Sequence, residues 1–250
     1  MCEVIAVVSG KGGVGKSTVT ASISFALALK NYKILAIDAD VGLRNLDLLL
    51  GVEDAALFDF SDVLSGKCPF NKAVQVHPQI PSLHFLTAPQ ISAPEDISLN
   101  ALQKICSLAS GHFDYIFIDS PAGIGSGFLN AALASDRALI VATPDYTSIR
   151  DADRVAGLLV ENGINDVRLI INRVRVDLMR KGLIANIDDM IDSISVKLIG
   201  IIPEDAAVIV ECNAGKPVVL KKSMAAKAVD NIARRIIGED VKLYKFWKRF

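Results

Sequence analysis

The sequence predicts an α/β domain built on a doubly wound, mainly parallel sheet, and three observations carry that expectation. Short apolar runs alternate with segments of helical periodicity along the chain, the pattern of parallel strands joined by right-handed crossovers. The apolar run 4–8 leads into Ser9-Gly10-Lys11-Gly12-Gly13-Val14-Gly15-Lys16-Ser17-Thr18 and then into the apolar-rich segment 19–29, so a glycine loop sits between a strand and a helix. Apolar runs also end in carboxylates, at Asp38-Ala39-Asp40 and at Asp119, and the carboxyl ends of strands are where open sheets bind ligands.

Gly10 to Ser17 fits the phosphate-loop pattern G-x-x-x-x-G-K-[ST]. Glycines let the backbone curl so that successive N–H groups face phosphate oxygens, and the following helix adds its positive N-terminal end. Gly10, Lys11, Gly12, Gly13, Val14, Gly15 and Thr18 would form the cradle. Lys16 would reach the terminal phosphates, and the Ser17 hydroxyl would help hold Mg²⁺. Lys11 is an addition, a second ammonium beside the first glycine where the general pattern asks for none.

Composition narrows the class. A chain of 250 residues that is 51% hydrophobic supports one domain with a large core. A net charge of -1 argues against a surface coated for nucleic acid. Cys2, Cys68, Cys106 and Cys212 show no C-x-x-C, and His77, His84 and His112 show no metal spacing, so neither a disulfide framework nor a zinc site is expected. No apolar run reaches membrane-span length, and the chain enters its first strand without a basic leader, so an intracellular location is expected.

Taken in order, 33–37 reads as a strand ending at Asp38 and Asp40. Residues 48–67 read as helices with Phe58, Val63 and Leu64 inward, and 69–81 as irregular chain or a short strand. Strands are expected at 83–86, 113–118, 137–142, 167–171 and 197–202, and core-packing helical periodicity at 97–108. Asp119 closes the 113–118 strand where a carboxylate faces the metal side of a nucleotide, and Ser120-Pro121-Ala122-Gly123-Ile124-Gly125 supplies flexible glycines beside it. A helix starting near Thr147 would be capped by Thr147 or Ser148, and one over 223–237 would end near Gly238. No internal repeat or linker interrupts this, so 1–238 is one domain and 239–250 a tail.

The tail separates into two faces when wound at about 100° per residue. Leu243, Tyr244, Phe246, Trp247 and Phe250 fill one side, and Lys242, Lys245, Lys248 and Arg249 the other. Basic amphipathic helices with aromatic residues bind membrane surfaces; docking on its own domain and binding to a partner protein are the other readings of such a helix. Each cation near an anionic leaflet contributes about 1 kcal/mol, and so short a helix is marginal in water. One tail should bind weakly, whereas two joined in a dimer gain about 10²–10⁴-fold in avidity.

The run Lys11-Gly-Gly-Val-Gly-Lys16-Ser-Thr resembles the deviant Walker A motif of the MinD/ParA family of P-loop ATPases. The run from Asp38 to Asp47, D-x-D-x-G-L-R-N-L-D, resembles the switch I segment of its MinD branch, and residues 120–125 resemble switch II; the likeness covers essentially the whole chain. The resemblance implies an ATP- and Mg²⁺-dependent ATPase that dimerises on ATP, with Lys11 crossing to the partner's nucleotide. It further implies that Asp40 helps activate the attacking water, that Asp38 and Asp119 support the metal shell, that Asn172, beside Arg173, contacts adenine, and that Pro203-Glu204-Asp205 wraps the base. By the same resemblance the partners are a MinC-like division inhibitor, a MinE-like or other topological factor and anionic lipids, and the protein sits in the cytoplasm and on the inner face of the membrane, positioning cell division. A ParA-type DNA-partitioning ATPase is the competing reading, but it would place positive charge on the domain and needs no Trp- and Phe-bearing tail. A flagellar-placement relative would carry an added N-terminal segment, and a metal-cluster relative would need paired cysteines.

Overall fold

A computed structural model describes residues 2–40, 45–52, 57–87, 89, 97–181, 187–192 and 194–243. The strands are β1 (Glu3–Val8), β2 (Ile34–Asp38), β3 (Gln75–Val76), β4 (Leu83–Leu86), β5 (Tyr115–Asp119), β6 (Arg137–Ala142), β7 (Val167–Val174) and β8 (Lys197–Pro203). The helices are α1 (Lys16–Ala28), α2 (Leu46–Leu50), α3 (Phe60–Leu64), α4 (Phe70–Ala73), α5 (Leu99–Ala109), α6 (Ser126–Leu133), α7 (Tyr146–Glu161), α8 (Val176–Arg180), α9 (Ile187–Asp192), α10 (Ala206–Asn213) and α11 (Met224–Ile236). Among the described residues the strands form one sheet in the order β3-β4-β2-β5-β1-β6-β7-β8, parallel throughout except for the antiparallel β3–β4 pair.

Burial on both faces explains why the strands read as unbroken apolar runs rather than alternating ones. On β1, Ile5 and Val7 join a core beneath α1 and α11, while Ala6 and Val8 join the core beneath α7 on the opposite face. A third core packs Leu35, Ile37, Ile116 and Ile118 against α3 and α5. Strand order reverses direction at β1, and the crevice at that switch point is where doubly wound sheets bind ligands.

Several boundaries move from their expected places. Helix α1 begins at Lys16, so the lysine and serine of the glycine loop form its first turn. Strand β7 runs past 171 through Asn172 and Arg173, with a register shift against β8. Helix α7 is capped by Asp145, not by Thr147 or Ser148: its carboxylate accepts from the Ser148 N–H at 2.9 Å. The Ser148 hydroxyl accepts instead from the Thr143 N–H at 2.9 Å, fastening the helix to the end of β6. A carboxylate offers the helix terminus full negative charge, and a hydroxyl does not. Helix α11 is capped by Ser223 and followed by Gly238 at φ 85°, as expected of a helix stop.

Helix α11 lies close on β8 because Gly200 carries no side chain. A Cβ built there would sit 2.2 Å from Cγ1 of Ile232, a fully buried residue that cannot swing aside. Gly200→Ala should therefore lower stability by about 1–3 kcal/mol through overpacking. Ile232→Ala alone should cost about 2–5 kcal/mol through its cavity. The double variant should lose clearly less than the sum, because the two residues share one volume; urea unfolding of the four proteins measures it.

Candidate nucleotide site

Strand β1, the glycine loop and α1 build a cavity of about 760 Å³ at the carboxyl ends of the strands. That size matches small-molecule sites generally. The loop from Lys11 to Thr18 lines it, with Asp40, Asn45, Leu48, Leu49, Gly51, Ala122 and Arg173 from facing segments. Gly15 caps α1 at φ 89°, and a Cβ on it would lie 2.4 Å from the amide nitrogen of Asn172. Both conditions require glycine there.

Beneath the loop, the Lys16 ammonium pairs with Asp119 Oδ1 at 2.9 Å, and both side chains are almost fully buried (5% and 1% exposed). The Thr20 hydroxyl lies 3.3 Å from the same oxygen. Asp119 Oδ2 is buried with no hydrogen-bond partner among the described residues. An acceptor left bare beside a phosphate cradle suits a metal-bound water. The described residues hold no cluster of three or more His, Cys, Asp or Glu side chains able to bind a metal. Magnesium fits that arrangement, since it keeps several waters and takes its other ligands from phosphates and a hydroxyl such as that of Ser17.

Asp38 stands beside Asp119 in register across β2 and β5. Its oxygens accept from the backbone N–H groups of Asp40 at 3.0 Å and Leu46 at 3.1 Å, which ties the entry of α2 to the strand end. Burial, and then the neighbouring Asp119 charge, push its carboxyl up to about 7. Asp40 lines the cavity half-buried; burial raises its carboxyl too, against the pull of the Lys16 ammonium. Residues 41–44 of the expected switch segment lie outside the described residues.

Lys11 is held within its own chain. Its ammonium donates to Asp145 Oδ1 at 3.1 Å and to the Thr147 hydroxyl at 3.2 Å. Partial burial works against the Asp145 charge, but hydrogen bonds from Thr143, Thr147, Ser148 and Lys11 hold this carboxyl well below its usual range. The Lys11–Asp145 pair is solvent-exposed (37% and 48%), and such pairs contribute only about 0–1 kcal/mol. It is cheap to break.

Other expected nucleotide contacts are distributed unevenly. Asn172 is buried, donates to the Val14 carbonyl at 2.9 Å and so braces the loop, but is not among the residues lining the cavity. Arg173 adopts a left-handed φ of 56°, rare for a non-glycine residue, and lines the cavity. Pro203, Glu204 and Asp205 are not among the residues lining the cavity. Asp205 caps α10, accepting from Ala207 at 2.9 Å and from Ala225 at 3.3 Å, and Glu204 faces Arg175 at 3.5 Å. The wall at that end is instead Cys212, Asn213, Ala214 and Gly215, which sequence reasoning missed. Gly215 and Gly51 touch so closely that a Cβ on Gly215 would lie 2.2 Å from the Cα of Gly51. Two glycines far apart in the chain carried no sign of that contact.

At the tail, Lys242 is exposed and Leu243 packs against the domain core beneath α7, not on an open face. Tyr244, Lys245, Phe246, Trp247, Lys248, Arg249 and Phe250 lie outside the described residues.

Asp38 generates a test. Folded protein holds this proton more tightly than the unfolded chain, whose carboxyl titrates near 3.8. Its contribution to stability therefore falls as pH rises from about 4 to about 7 and is constant above that. Melting curves from pH 4.5 to 8 without nucleotide should show this decline in the parent and a shallower one in Asp38→Asn; equal slopes would contradict the assignment.

Comparison with known proteins agrees with this geometry. The ParA family model, described as NUBPL iron-transfer P-loop NTPase, matches residues 1–237. The septum site-determining protein MinD of Synechocystis is 42% identical over 98% of this chain and 93% of its own. The MinC:MinD cell division protein complex of Aquifex aeolicus contains a chain that superposes with a TM-score of 0.89 at 41% identity, covering 97% of this chain and 98% of that one. MinD of Pyrococcus horikoshii complexed with Mg-ADP superposes with a TM-score of 0.84 at 30% identity, covering 95% of this chain and 97% of that one. A phosphate loop with an added lysine, a buried carboxylate beneath it and this level of likeness along the chain place the protein in the MinD branch of the ParA family of P-loop ATPases.

Proposed function

We propose that this protein is a division-site ATPase whose nucleotide state controls pairing of two subunits and residence on the membrane. The observation that carries this reading is the Lys16–Asp119 pair, buried under a loop whose rim bears a loosely held second lysine, Lys11. Incoming phosphates offer Lys16 a stronger anion than Asp119. The lysine transfers to them, and Asp119, with Oδ1 still held by Thr20, would turn its unpartnered Oδ2 to the metal's water shell. Magnesium, held through Ser17, supplies neutralisation of phosphate charge. Asp40 faces the same cavity and orients the attacking water, while Asp38 holds the entry of α2 against the strand end.

Lys11 supports the pairing step. Its contact with Asp145 is exposed and weak, so a second nucleotide at the cavity mouth can draw it across. Two tails then act together on an anionic bilayer, here the inner face of the cell membrane. Among the described residues no helix is long and apolar enough to cross a membrane. The Aquifex relative is known as a MinC:MinD complex, and a MinC-like inhibitor is the cargo we assign to the paired state, with a MinE-like or other topological factor stimulating hydrolysis.

The test is co-sedimentation with anionic vesicles. Binding should be strong with ATP and weak with ADP, and removal of residues 244–250 should abolish it while leaving nucleotide binding intact. Lys11→Ala should remove both the ATP-dependent dimer in gel filtration and the vesicle binding. Equal sedimentation in ATP and ADP would overturn the reading. A DNA filter-binding arm, expected to be negative, separates it from the DNA-partitioning alternative.

A further inference from the structure

After α11 the chain turns back on itself. Gly238 N–H bonds to the Arg235 carbonyl at 3.1 Å and Glu239 N–H to that of Arg234 at 3.0 Å, and the left-handed glycine reverses direction. The Arg234 guanidinium pins the bend at Glu239, 2.6 Å away. The returning segment then meets Arg235. Its guanidinium donates to three carbonyls at once: Ile199 on β8 at 2.8 Å, Val241 at 2.9 Å and Lys242 at 2.8 Å. Leu243 follows, seated in a small cleft with Ile201, Ala228 and Asn231.

These contacts have a direction. Strand β8 is an edge of the sheet, and it runs from Lys197 toward the nucleotide end. The tail root meets Ile199 through Arg235 at residue 241 and shares a cleft with Ile201 at residue 243, so it climbs beside β8 toward that end. Among the described residues no further strand lies beside β8 to answer the carbonyls at its edge. Only a planar fork of donors can satisfy one such carbonyl and two from the returning chain together.

We propose that Arg235 is a positioning residue that clamps the root of the tail to the edge strand, so that residues up to 243 belong to the domain and the membrane-binding segment departs from a fixed point. Rigidity there matters to the paired state alone. The local concentration of a second tail falls steeply as the free linker lengthens, whereas a single tail is indifferent to its tether. Releasing the clamp would free the chain from Asp240 onward, past the bend that Arg234 holds at Glu239, and so lengthen each linker by several residues. The proposal rests on the membrane reading above for its consequence, but the clamp itself can be read without a membrane.

Arg235→Ala should raise tryptic cleavage after Lys242 at least severalfold, followed by mass spectrometry. With phosphatidylglycerol-containing vesicles it should weaken binding in ATP by about three- to tenfold and leave the weak ADP-state binding and the vesicle-free ATPase rate unchanged. Arg235→Lys, with one ammonium in place of a fork, should fall between. Leu243→Ala, which keeps the arginine, should shift cleavage and ATP-state binding in the same direction. Unchanged cleavage at Lys242 in a folded Arg235→Ala protein overturns the clamp. So does tighter vesicle binding by that variant, or a Leu243→Ala loss equal in ADP and ATP, since either result would mean that Leu243 inserts into the bilayer. If the parent protein ignores vesicles in ATP, the membrane reading falls, and the cleavage arm still decides the clamp.

Discussion

The contact on which the site depends is the ion pair between Lys16 and Asp119, 2.9 Å long and shut away from water. Either charge alone at that depth would carry a desolvation cost of several kcal/mol. Together, with Thr20 beside the shared oxygen, they hold the first turn of α1 over the end of β5. The pair joins the first strand–loop–helix unit to the central carboxylate strand. It also keeps a cation ready where phosphate must come. A buried pair of this kind contributes little net stability, and its value is positional: in the function proposed above, it stores a lysine that a better anion can take.

The sheet places everything else around that pair. With β1 between β5 and β6, the loop lies at the reversal of strand order, and β2 brings Asp38 and Asp40 in from the side. Strand β7 contributes Asn172 from below and, through its left-handed residue, Arg173 from the rim. Asp38 and Asp119 are neighbouring carboxylates beside one lysine, and burial first, then the Asp119 charge, raises the Asp38 carboxyl. A site built this way asks for a divalent cation along with its phosphates.

Contacts of two further kinds lie at the margin of the site. Lys11 is held by exposed partners, and the Gly51–Gly215 contact brings the end of α2 against the turn after α10 without any side chain between them. The Lys11 pair, being exposed, is the weak one of the two. At the sheet edge Arg235 does the reverse, gathering three carbonyls into one rigid point.

Much of the fold was legible because a parallel sheet covered on both faces writes its strands as plain apolar runs, and because the phosphate loop obeys a local spacing rule. Asp38, Asp40 and Asp119 could be placed from sequence since each ends such a run. What failed were features set by who meets whom. Asp145 displaced Thr147 and Ser148 as the helix cap because it also answers Thr143 and Lys11. Asp205 proved to be occupied by two backbone N–H groups, those of Ala207 and, 20 residues beyond Asp205, Ala225, and Leu243 packs, partly buried, against the core although its periodicity placed it on the tail's apolar face. Sequence alone thus determined the backbone chemistry of the phosphate cradle and the order of the strands' carboxylates, because both are encoded in neighbouring residues. Tertiary structure alone decided the cavity wall at residues 212–215, the partner of Lys11 and the anchoring of the tail, because each depends on groups that only the folded sheet brings together.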